Sequence, residues 1–156
     1  MRVHKKRVVN HVLGLLLVLT LCFIWGNSLL PRAESTQLST GVMDWLSPLL
    51  HWLKLELIDE HFIRKLAHFG EYAALGLELA GLFFLNLGRR MKSAVAAALC
   101  ALLAAAADEC LQFVSHRAPM VKDVLLDLSG ALFGIALLAL LGALRVKQTQ
   151  ENGLPD

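Results

Sequence analysis

Four stretches of this chain, residues 8–25, 64–87, 93–114 and 123–144, are dominated by apolar side chains. Each is close to the roughly 20 residues that cross a bilayer's hydrocarbon core. No other feature narrows the fold as far. Lipid offers no water to the backbone, so a spanning segment must satisfy its own N–H and C=O groups, as a helix does. The chain has 156 residues and is 56% hydrophobic, more than a soluble domain of this length needs. The expected fold is an all-α integral membrane protein, a four-helix transmembrane bundle forming a single domain over residues 1–147.

Arg2, Lys5, Lys6 and Arg7 precede the first run, as they would in a signal peptide. The run is longer than a signal core of about 7–15 residues. Pro31 and Arg32 also stand where a small-x-small cleavage site would be wanted, so the run reads as a retained span. Arg89, Arg90 and Lys92 lie between the second and third runs, and Arg145 and Lys147 follow the fourth. In a four-span chain these basic groups share a side, and an excess of Lys and Arg marks the cytoplasmic one. Both termini are therefore expected in the cytoplasm. Residues 27–63 and 115–122 are then outside; the basic residues there have acidic neighbours and are less dense. In the first outer loop Val42, Trp45, Leu46, Leu49, Trp52, Leu53 and Leu57 recur at helical spacing. They predict an amphipathic helix over residues 42–57, lying on the outer leaflet or packed as a lid over the bundle. The polar tail, residues 148–156, is expected to be a disordered cytoplasmic segment. The odd number of cysteines, Cys22, Cys100 and Cys110, in or beside apolar runs argues against a disulfide scaffold.

Ionisable groups at bilayer depth are costly and mark functional sites. Here they gather at one end. His68 and Glu71 lie one to two turns into the second span. Asp108, Glu109 and Gln112 close the third, and Asp123 and Asp127 open the fourth. With alternating span direction all of them fall within about 10 Å of the outer interface at 1.5 Å per residue. Arg64, His68, Glu71, Leu75 and Glu78 form one helical stripe, Asp108, Gln112 and Ser115 a second, and Asp123, Asp127, Gly130 and Gly134 a third. The Gly130-x-x-x-Gly134 pattern permits close helix contact and turns that stripe toward protein.

These charges could simply lock the bundle, with Arg64, Lys65 and Arg117 pairing with Glu71, Asp108 or Glu109. The carboxylates Glu71, Asp108, Glu109, Asp123 and Asp127 outnumber the cations Arg64, Lys65, Arg117 and Lys122. The surplus must be neutralised by protons or by an added cation. Chemically, Glu71 could orient His68 for general acid–base work, with Asp108 and Glu109 as further acid–base groups. Arg64, Lys65, Arg117, Gln112, Asp123 and Asp127 would line the ligand, and Arg117 suits bidentate binding of a phosphate or carboxylate. His68 and Glu71 could also hold a divalent metal with Asp108 or Asp127, although no H-E-x-x-H or CxxC pattern favours one. No catalytic serine arrangement, phosphate loop or nucleic-acid patch stands out.

Arg64-Lys65-Leu66-Ala67-His68-Phe69-Gly70-Glu71-Tyr72-Ala73-Ala74-Leu75-Gly76 is followed by Asp108-Glu109-Cys110-Leu111-Gln112-Phe113-Val114-Ser115-His116-Arg117. Asp123-Val124-Leu125-Leu126-Asp127-Leu128-Ser129-Gly130-Ala131 and Gly134 complete the set. Together they resemble the VanZ-like family, without a gap inside any block. His116 precedes Arg117 where a small or turn residue is usual, and Asp127 stands where Asn is common. The family is named for a protein that gives low-level resistance to teicoplanin, a lipoglycopeptide that binds peptidoglycan precursors outside the cell. The resemblance implies a multi-pass protein of the bacterial cytoplasmic membrane with a role at the cell envelope. Three functions stay open: binding an anionic lipid or lipid-linked envelope precursor, hydrolysing or transferring a group on one, or a structural or partner-binding role. In the second, His68 would be the acid–base group and Arg117 would stabilise charge.

Overall fold

The computed structural model describes residues 2–52, 59–88, 90–114 and 120–151, and among them every regular element is a helix. They are α1 (Arg2–Leu29), α2 (Arg32–Trp52), α3 (Glu60–Leu87), α4 (Arg90–Val114) and α5 (Val121–Glu151). Local chemistry sets several of the ends. Pro31 has no amide hydrogen and interrupts the ladder between α1 and α2. Asp59 caps α3, its Oδ1 accepting the Phe62 amide at 2.8 Å. Gly88 ends α3 in the left-handed region at φ 64°.

α1, α4 and α5 contain segments long and apolar enough to cross a membrane: His4–Leu29, Arg90–Val114 and Val121–Leu144. The expected fourth span, within α3, is as long as α1 at 28 residues. It is not among the helices that qualify by composition, because Glu71 and Glu78 interrupt its apolar run. Two boundaries also differ from expectation. The loop helix begins at Arg32, not at residue 42, and Leu53 and Leu57 lie outside the described residues. α5 runs on to Glu151, so residues 148–151 are helical rather than disordered; helix-breaking residues come only with Gly153 and Pro155.

α3 is the central helix and packs against the other four. Its closest partner is α5. A Cβ on Gly130 would meet the carbonyl of Phe69, one on Gly134 the carbonyl of Ala73, and one on Gly76 the carbonyl of Ala131. The glycines thus bring two backbones together without side chains between them. The matched order, 69 with 130 and 73 with 134, makes α3 and α5 parallel. Phe69 and Phe133 flank the seam, their ring centroids 5.8 Å apart.

α4 presents Ser93, Ala97, Ala101, Ala105, Asp108 and Gln112 inward, small at depth and polar at its end. Ile24, Tyr72, Leu75, Leu79, Ala131 and Ile135 complete the core. Larger apolar side chains point outward, among them Leu15, Phe23, Leu103 and Leu125. Such an outward apolar surface suits a lipid surround.

Candidate functional site

The last turns of α1 and α4 and the first turns of α3 and α5 meet at one end of the molecule. His68 of α3 is half-buried, and its Nδ1 lies 3.8 Å from Asp127 Oδ1 of α5. That separation suits an ion pair with a protonated ring and exceeds a hydrogen bond. Asp108 of α4 completes a group of three: one ligating atom from each of His68, Asp108 and Asp127 lies within 4.8 Å of the others. Asp108 and Asp127 are buried to within 1% of completely.

Gln112 follows Asp108 by one turn and donates its Nε2 to Asp108 Oδ2 at 3.1 Å. Asp108 Oδ1 and both oxygens of Asp127 accept no hydrogen bond. Beside them stands Tyr72, completely buried, its hydroxyl also without a hydrogen-bond partner. Tyr72 lies within electrostatic reach of Asp108, Asp127, Glu71 and Glu109. Buried polar groups are ordinarily paired, so this concentration of unpaired atoms calls for an explanation.

Glu71 and Glu109 each have one oxygen held and one buried oxygen without a hydrogen bond. Glu71 Oε1 accepts the Asn27 amide at 3.4 Å. Glu109 Oε2 accepts the backbone N–H of Met120 at 2.8 Å, which joins the end of α4 to the start of α5. Asp123 is half-buried in the first turn of α5.

The cations do not behave as expected. Arg64 donates to His61 Nδ1, one turn earlier on its own helix, at 2.7 Å. Lys65 and Lys122 are exposed. The expected pairing of Arg64 or Lys65 with Glu71, Asp108 or Glu109 is therefore absent among the described residues. At the start of α3 both side chains reach water, which is less costly than following the carboxylates inward. Arg117 lies outside the described residues.

α1 contributes what sequence reasoning passed over. Asn27 meets Glu71; Thr20 Oγ1 donates to Glu78 Oε1 at 2.9 Å; Asn10 and Asn86 exchange amide hydrogen bonds at 3.1 and 3.3 Å. The three contacts form a ladder along antiparallel α1 and α3. Its signal was present in the sequence: Thr20 and Asn27, like Glu71 and Glu78, are seven residues apart, two helical turns on one face.

The family model described as VanZ/LLP1 matches residues 13–142, most of the chain. No curated protein and no solved structure matches it.

Proposed function

The chain is a membrane protein of the VanZ/LLP1 family, and we propose that it receives the anionic head of a lipid-linked cell-envelope component and hydrolyses or transfers a group on it. The site would open to the outer face of a bacterial cytoplasmic membrane. α3 would be the fourth span. Its ladder with α1 extends from Asn10 to Asn27, about 25 Å of helix at 1.5 Å per residue, close to the thickness of a hydrocarbon core.

One observation carries the reading. Asp127 is buried with neither oxygen hydrogen-bonded, beside a histidine whose side chain is 20% exposed. Charges that served only to lock the helices would each keep at least one partner on a neighbouring helix, as Glu78 keeps Thr20. Here a buried carboxylate is left without a hydrogen bond next to a partly exposed histidine, at the foot of an exposed rim that includes Lys65 and Lys122. The rim would attract the anionic head. His68 would then take a proton from the attacking hydroxyl or water as its oxygen bonds to the transferred group. Asp127 would steady the imidazolium so formed, and the imidazolium would return the proton to the leaving oxygen as its bond to that group breaks. Trp45 and Trp52 of α2 are 80% and 77% exposed, which suits a helix at the headgroup level bordering the way in from the bilayer. A lipoglycopeptide such as teicoplanin, or the precursor it binds, would reach the same surface.

Envelope lipids incubated with the purified protein and analysed by mass spectrometry test this. A modified lipid should appear with wild type and fall by about 10²–10⁴-fold with His68→Gln, the range for loss of a general acid–base group. A lipid retained unchanged by both proteins would leave binding and remove catalysis. Neither retention nor modification would sink the proposal and leave the charges a structural role.

A further inference from the structure

The cluster of His68, Asp108 and Asp127 has the composition and spacing of a ligand set, and we propose that it binds a divalent transition-metal ion, zinc or manganese. A tetrahedral ion with bonds of about 2.0–2.2 Å holds its ligand atoms roughly 3.3–3.6 Å apart. The three atoms lie within 4.8 Å of one another, and the His68–Asp127 pair is at 3.8 Å. Small side-chain rotations close that gap.

The surroundings are those of a metal site. Gln112 holds Asp108 by Oδ2 and leaves Oδ1 free, the kind of outer contact that orients a ligating carboxylate. Tyr72 is not one of the three, yet its buried hydroxyl has no hydrogen-bond partner and feels the charge of both aspartates. The charge also balances: two aspartates and a neutral imidazole meet a divalent cation. Among the described residues no protein cation takes its place, since Arg64 turns to His61 and Lys65 and Lys122 are exposed. Imidazole with carboxylates suits zinc or manganese. Thiolate-seeking ions are not favoured, because the nearest cysteine in sequence, Cys110, is exposed on the other side of α4.

The inference concerns the ion alone and stands without the lipid reading: with an ion bound His68 is a neutral ligand, and it can act as the base of that reading only in the protein without the ion. Protein purified in detergent, stripped with chelator and dialysed against Zn²⁺ or Mn²⁺, is assayed for metal content. One ion per chain is expected. Asp127→Asn and His68→Ala should each weaken binding by at least tenfold, and Gln112→Ala by about 10–100-fold as an outer-contact change. Glu78→Gln, an acid of the α1–α3 ladder, should bind like wild type. Mn²⁺ bound to the wild type should show nitrogen coupling in its electron spin resonance spectrum, and His68→Ala should lose it. If Asp127→Asn does not fold, His68→Ala decides. Absence of stoichiometric metal, or binding unchanged by either ligand substitution, overturns the proposal. That outcome would leave lipid handling by His68 standing, and lipid inactivity with intact metal binding would do the reverse.

Discussion

A buried carboxylate without a hydrogen bond destabilises the fold that contains it, and Asp127 has both oxygens in that state. Two accounts of it predict opposite effects of one substitution. If Asp127 serves an ion or a reaction, Asp127→Asn relieves the metal-free protein of a charge held for function. Its melting temperature after chelation should then equal or exceed that of wild type by a few degrees. If Asp127 locks the helices, the same change should lower it. Thr20→Val is the contrasting case. It removes an interhelical hydrogen bond to Glu78 and should destabilise by about 0.6–1.7 kcal/mol, the range for such bonds in membranes, read as a lower melting temperature in detergent. At this scale the sequence was informative about which residues converge, because spacing places His68, Asp108 and Asp127 on inward stripes near one end. It was silent on pairing. A rotamer choice sent Arg64 to His61 instead of inward, and Tyr72, an aromatic in an apolar stripe, gave no sign that its hydroxyl would sit among acids.

Between elements, the closest packing is that of α3 on α5, and glycine makes it possible. Gly134→Ala sets a methyl group against the backbone carbonyl of Ala73. Neither backbone can yield without moving a helix, so a loss of about 1–3 kcal/mol is expected, as for overpacked cores. Gly142→Ala on the same helix meets nothing within 4 Å and should be neutral or slightly stabilising, through helix propensity alone. Equal melting temperatures for the two variants would show that the seam is looser than the glycine contacts require. The Gly130-x-x-x-Gly134 pattern announced a close contact but not its partner; Gly76 on α3 is what identifies it. Helix ends were harder to read. α5 passes into its polar tail because Arg145 to Glu151 contains nothing that stops a helix. The helix after Pro31 starts early because its polar first turns carry no apolar periodicity to mark them.

On the scale of the molecule, α3 is nearly as polar as a soluble helix on one face and yet occupies the centre. Hydropathy recognises spans by their contact with lipid, and a helix wrapped by four others needs little of it. The acids that disqualify α3 by composition meet Asn27 and Thr20 of α1, and the outward faces of α1, α4 and α5 carry the apolar surface in its place. If α3 also crosses and the N-terminus is cytoplasmic, the start of α4 lies on the cytoplasmic side and the start of α5 outside. Cysteine labelling reads this directly. Cys22, Cys100 and Cys110 are free thiols, so all three can be replaced by alanine or serine without breaking a crosslink. In that background Lys92→Cys should react with a membrane-impermeant maleimide only after the cytoplasmic side is opened, and Lys122→Cys should react in intact cells. The reverse pattern, Lys92→Cys reacting in intact cells and Lys122→Cys only after opening, would mean three crossings, with α3 lying in the interface. The acids of α3 and α5 would then be no deeper than the headgroups, and the argument from burial in lipid would fail for the whole site.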